Sequence, residues 1–185
     1  MVYPGPSSAD AASGFQPAAR IQQSDMPNLT PLVIAPGSGT VLFAPGGDVL
    51  VQKLSASGSG NAYSLAEYTV EPGAGPPLHR HTHEDEGFWI LDGTVSFQCD
   101  GKTAEAGPGT FVFAPRGSVH TFKNRTAAPA RMLLFVSPPA NFEAFYAKIG
   151  APTAGGAAPA DHEMIARIMA HAAEHGIEIL GPSPL

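Results

Sequence analysis

Between residues 73 and 93 the chain reads GAGPPLHRHTHEDEGFWILDG. His79, His81 and His83 stand at every second position, and Glu84, Asp85 and Glu86 follow directly. A solvated charged face explains a run of acids but not alternating histidines. In an extended strand alternate residues share a face, so His79 and His81 can aim at one ion. Glu86 begins the next strand after a turn and can return a carboxylate to the same point. A further histidine, His120, lies in GTFVFAPRGSVHTFKN at 109–124. Three imidazoles and one carboxylate suit a divalent transition metal. His83 is either a rim residue or an alternative ligand in a register shifted from His81. His171 and His175 are four apart on an expected helix and can in principle share an ion, but no third ligand accompanies them.

The elements that must position these side chains are short. Glycine (21) and proline (19) make up more than a fifth of the 185 residues, against roughly 7% and 5% in average proteins. That density of turn formers argues against a helical bundle. The 43% apolar content and net charge of -6 argue for a packed core rather than general disorder. From about residue 40 onward, β-rich runs alternate with turn clusters. Among them are 49–54, 62–70 (AYSLAEYTV), 87–91 (GFWIL), 94–99 (TVSFQC), 111–114, 120–123 and 131–137. Such spacing predicts an antiparallel barrel or sandwich. Asp92-Gly93 and Asp100-Gly101 read as hairpin turns.

Three regions follow: an N-terminal arm over 1–40, a barrel over 41–138 and a helical extension over 139–185. The arm is either loose or adds a strand to a barrel, with Val33-Ile34 and Val41-Leu42-Phe43 as apolar anchors. In the extension, Asn141 is placed to cap a helix ending at Gly150. Asp161 is placed to cap a second helix, stopped by Gly176.

Bulk properties exclude several classes. Ten Lys and Arg against sixteen Asp and Glu, without a basic run, leave no footprint for nucleic acid. The one cysteine, Cys99, can form neither an internal disulfide nor a cysteine-based zinc site. No apolar run approaches the roughly 20 residues of a membrane helix, and no signal peptide is evident at the start. A cytoplasmic protein without a membrane partner is expected.

The histidine segments resemble the two cupin motifs. Gly73, His79, His81, Glu86 and Gly93 fit the first motif at every spacing, and Gly109, Pro115, Gly117, His120 and Asn124 fit the second. The resemblance implies an all-β fold, the cupin double-stranded β-helix or jelly-roll barrel, here with short C-terminal helices. It further implies one divalent metal ion per chain (iron, manganese, nickel, cobalt, copper or zinc), held by His79, His81, Glu86 and His120. Strand parity from Glu86 turns Phe88 and Ile90 inward and Trp89 and Leu91 outward. Parity from His120 turns Phe122 inward, and Tyr68 is a further pocket candidate.

The segment PPLHRHTHEDEGFWILDG and the tail GIEILGP are most similar to bacterial single-cupin proteins related to quercetin 2,3-dioxygenase. That resemblance implies a dioxygenase acting on a small phenolic, flavonol-like or diketone substrate, with Glu86 as both ligand and proton acceptor. Its alternatives are a non-oxidative isomerase, lyase or cyclase, and a small-molecule-binding cupin without turnover. The expected partners are the small-molecule substrate, dioxygen and a second copy of the chain in a homodimer.

Overall fold

Ser64–Val70 shows how the sequence builds the barrel. Ser64, Ala66, Tyr68 and Val70 are buried, while Leu65, Glu67 and Thr69 between them are only half-buried. This period of two gives each strand an inner and an outer face. A computed structural model describes residues 29–139 and 141–185. The arm expected over 1–40 lies largely outside those residues.

The strands are β1 (Thr40–Ala44), β2 (Asp48–Leu54), β3 (Ser64–Val70), β4 (Leu78–His81), β5 (Asp85–Asp92) and β6 (Val95–Cys99), followed by β7 (Lys102–Ala106), β8 (Phe111–Ala114), β9 (His120–Lys123), β10 (Ala130–Ser137) and β11 (Ile177–Gly181). They form a six-stranded sheet, β1-β2-β3-β10-β5-β8, and a five-stranded sheet, β11-β4-β9-β6-β7. Every recorded strand pair is antiparallel. Leu50, Val70, Phe88, Ile90, Phe97, Phe122, Met132 and Leu134 belong to one buried cluster. The fold is the jelly roll.

Two local expectations need correction. Asp92-Gly93 is not a hairpin turn. β5 pairs with β10 and β8, whereas β6 pairs with β7 and β9. The turn is a corner that carries the chain from one sheet to the other. Gly93 has φ 73°, and a Cβ there would press on Ala130 at 2.9 Å. Turn residues specify backbone angles, not the strand's eventual partner. Asp100-Gly101, by contrast, joins two paired strands, β6 and β7.

The extension over 139–185 is not wholly helical either. It contains α1 (Phe142–Gly150) and α2 (Asp161–His171), then a short 3-10 turn over Ala173–His175, and ends in β11. β11 pairs with β4, placing Ile177 opposite His81 and Ile179 opposite His79. Neither expected cap forms as drawn. Asn141 makes no side-chain capping bond, and Asp161 is the first helical residue, accepting the Gly46 N–H at 3.1 Å. Of the arm's two apolar anchors, residues 41–43 lie within β1, which pairs with β2, while Val33 is fully exposed.

Candidate metal centre

β4 supplies His79 and His81 on its inner face, with Arg80 between them turned out to Glu178 at 2.7 Å. β9 places His120 opposite His79. β5, in the other sheet, supplies Glu86. One donor atom from each of these four buried side chains lies within 4.8 Å of the others. The centre therefore bridges the two sheets.

The turns on either side hold this geometry. Gly117, at φ 83°, lets the β8–β9 turn fold back, and its N–H donates to the His81 carbonyl at 2.7 Å. Arg116 clamps that turn to β5, donating its backbone N–H and Nε to Asp85 Oδ1 at 2.8 and 2.9 Å and a terminal N–H to Oδ2 at 2.7 Å. Those bonds hold the Asp85 carboxyl down at about 2. His120 and Glu86 are thereby fixed relative to each other.

The hydrogen bonds also fix the tautomers. His79 Nδ1 lies 2.8 Å from the Pro77 carbonyl and His120 Nδ1 lies 3.1 Å from the Ser118 carbonyl. A carbonyl only accepts, so each Nδ1 carries the proton and each Nε2 offers a lone pair to the centre. His81 Nδ1 faces Glu84 Oε2 at 3.3 Å. His120 Nε2 and His81 Nε2 then face the same carboxylate oxygen, Glu86 Oε2, at 2.8 and 3.4 Å. A lone pair opposed to a carboxylate oxygen needs a proton or a cation between them. A divalent ion meets that need for all four donors, and supporting groups on Nδ1 are the usual arrangement around ligating histidines. The donor set fits a metal.

Burial and the neighbouring charges set the protonation of His79, Glu86 and His81. Burial, then the neighbouring His120 and His81 rings, pushes His79 down to about 3, leaving the neutral form that ligates. Burial alone would raise Glu86, but the adjoining His81 and His120 rings outweigh it and hold the carboxylate at about 2. His81 is raised: burial opposes its charge, and Glu86 and Glu84 prevail.

Residues 66–136 match the family described as the cupin domain. The chain contains a cupin domain. A quercetin 2,3-dioxygenase of Bacillus subtilis is 28% identical to this cupin over 87 residues, 47% of this chain and 25% of that one. The chain thus spans about a quarter of the length of that relative. A Thermotoga maritima protein described as a predicted oxalate decarboxylase superposes with TM-score 0.54 at 23% identity, over 57% of this chain and 98% of its own. The polyketide cyclase RemF of Streptomyces resistomycificus superposes with TM-score 0.52 at 22% identity, over 59% and 80%. At these identities the two structures share the fold.

The centre opens into a cavity of about 510 Å³. Tyr68, Phe88 and Phe122 line it, and Ile90 does not. Ile90 points inward and is fully buried, but it packs in the core away from the cavity. Parity fixes a face, not the depth of the cavity along it. The roof comes from Phe142, Phe145, Tyr146 and Ile149 of α1, Ile165, Ile168 and Met169 of α2, and Ile177 and Ile179 of β11. Ile165 and Met169 are 51% and 66% exposed and mark the mouth. Among the described residues, no lysine or arginine lines the cavity.

His83 is exposed and outside the cluster. His171 is engaged with Glu174 at 2.7 Å, which Lys148 also contacts. Glu84 escaped the sequence reading. It is 1% exposed and joins His81 to the start of α1, its Oε1 accepting the Asn141 N–H at 3.1 Å. Its only signal was its place three residues after His81, inside a run of acids. Among the described residues, no helix is long and apolar enough to cross a membrane.

Proposed function

We propose that this cupin is a metal-dependent dioxygenase acting on a small phenolic, flavonol-like or diketone substrate. The observation that carries the reading is the His79, His81, Glu86 and His120 cluster facing an apolar cavity that no lysine or arginine lines among the described residues. When bound, the ion would supply Lewis-acid polarisation of a chelating oxygen pair. The protein's own part is to orient and dry the substrate. Phe88, Phe122 and Leu134 offer flat and branched apolar surface to its body. Glu86 would take the enolic or phenolic proton that the substrate gives up on binding. Dioxygen is the oxidant, and cleavage of a ring or carbon–carbon bond follows. The quercetin dioxygenase relative supports this choice of substrate class.

The test is oxygen uptake with a flavonol by protein purified without chelator, alongside elemental analysis. We expect substrate-dependent oxygen consumption that is lost in Glu86→Ala. Turnover under strict anaerobiosis would overturn the dioxygenase reading and favour a non-oxidative isomerase, lyase or cyclase. Ligand binding without product, whichever first-row metal is loaded, would make this a binding protein.

A further inference from the structure

Facing the same cavity is a second polar group that the metal centre does not use. Asp48, at the start of β2, is completely buried, yet it lines the cavity with Tyr68 and Tyr146. Its Oδ1 accepts the Glu71 N–H at 2.8 Å and its Oδ2 accepts the Tyr68 hydroxyl at 3.1 Å. Its charged neighbours are Glu71 and Asp161, both acids. No lysine, arginine or histidine pairs with it among the described residues. Tying down the Glu71 N–H alone would need only a neutral acceptor such as Asn or Ser. A carboxyl group buried without a cation is costly, and the surplus falls on Tyr68.

With Asp48 ionised, the one proton of the Tyr68 hydroxyl goes to its carboxylate. What the Tyr68 oxygen offers its other neighbours is therefore a lone pair. Tyr146 stands beside it, half-buried, on the roof helix. Tyr68 meets Phe122 edge-on at 5.6 Å, and Phe122 meets Phe88 at 5.6 Å, so an aromatic wall adjoins the tyrosine and lines the cavity with it. The cavity has two polar poles with apolar surface between them.

We propose that Tyr68 and Tyr146, with Tyr68 oriented by Asp48, form a second recognition pole that accepts a hydrogen bond from a neutral hydroxyl on the substrate, remote from its metal-chelating oxygens. The inference rests on the chelating-substrate reading and narrows it. The substrate is a flat, uncharged aromatic with oxygen functions at both ends. Substrates with a phosphate or carboxylate at the far end are disfavoured, because no lysine or arginine among the described residues lines the cavity and a buried carboxyl stands behind the tyrosine. Asp48 is a positioning residue in this scheme, and the tyrosines make the contact.

The experiment compares two probes on zinc-loaded protein under argon at pH 8, where Asp48 is ionised. Quercetin and 3-hydroxyflavone share the chelating hydroxy-ketone, and only quercetin bears remote hydroxyls. Quercetin is expected to bind roughly tenfold tighter to the wild type, the size of one well-placed hydrogen bond. In Tyr68→Phe and in Tyr146→Phe that advantage should shrink to about twofold. In Asp48→Asn it should fall part of the way. Far-UV spectra and thermal midpoints show which variants are folded, and Tyr146→Phe, on the half-buried ring, stands in if Tyr68→Phe is not. Equal affinities in the wild type, or an advantage that persists in both tyrosine variants, would overturn the second pole alone. Failure of 3-hydroxyflavone to bind the wild type would overturn the chelating reading, and the second pole with it.

Discussion

Asp48→Asn should change how stability depends on pH, and the size of the change follows from the burial of the carboxyl. Burial raises Asp48 from 3.8 to about 7, against the lowering effect of the Glu71 N–H and the Tyr68 hydroxyl. A carboxyl raised in the folded state holds its proton where the unfolded chain has lost it. Its contribution to stability is fully present below the unfolded pKa and is lost as pH rises through the folded value. At about 1.36 kcal/mol per unit, the wild type should lose about 2–3 kcal/mol more than Asp48→Asn between pH 5 and pH 8. Asparagine keeps an acceptor for the Glu71 N–H and does not titrate. Tyr68 and Tyr146 are both raised by burial and stay protonated throughout the range. The assay is urea unfolding of chelator-stripped wild type and variant at both pH values, extrapolated to water. The metal-site histidines are common to both proteins and cancel in the difference. A difference below about 1 kcal/mol would refute the argument that Asp48 is buried without charge compensation.

Glu84→Gln should weaken metal binding roughly 10- to 100-fold, the usual cost of disturbing a ligand's support, as read by competition with a chelating dye; unchanged affinity would remove Glu84 from the centre. His120→Ala should strip most of the metal while His83→Ala leaves the content per chain near wild type, and a large loss in His83→Ala would restore the shifted register. Asn124→Ala should destabilise by about 4 kcal/mol in urea unfolding. That side chain donates to the Val70 and Ala128 carbonyls and accepts from both the N–H and the hydroxyl of Thr126; a loss under about 1 kcal/mol would mean those bonds are readily replaced. We also propose a homodimer closed by the outward aromatics, since Trp89 and Phe111 are 48% and 54% exposed on neighbouring strands. Light scattering should give twice the chain mass, and a monomer would refute it.

The sequence exposed the donors because their pattern is local. His79 and His81 alternate on one strand, and Glu86 and His120 fall at fixed spacings behind turns that glycine and proline make visible. The jelly roll was legible for the same reason. What stayed hidden depends on partners distant in the chain. Glu84 acts by folding back from a turn onto His81 and reaching Asn141. Asp48 follows Gly46 and Gly47 and reads as one more turn residue; only the pairing of β2 with β3 brings it to Tyr68. Asp92-Gly93 looks like Asp100-Gly101, and whether two strands pair or part is settled by the rest of the sheet. Ile177–Gly181 is too short to declare itself a strand without β4 beside it.

The division of the cavity between chain segments bears on descent. All four donors, with Phe88, Phe122 and Tyr68, lie within residues 66–136, the part that matches the family. Asp48 and the whole roof lie outside it. Homology over that shared segment therefore covers the four donors and one wall of the cavity, and does not reach Asp48 or the roof. The flanks are nonetheless sewn to the centre. β11 is hydrogen-bonded along the strand that bears His79 and His81, and the residue that opens α1 is held by the glutamate behind His81. A lineage that exchanges its roof therefore also disturbs the supports behind two of the candidate ligands, His79 and His81.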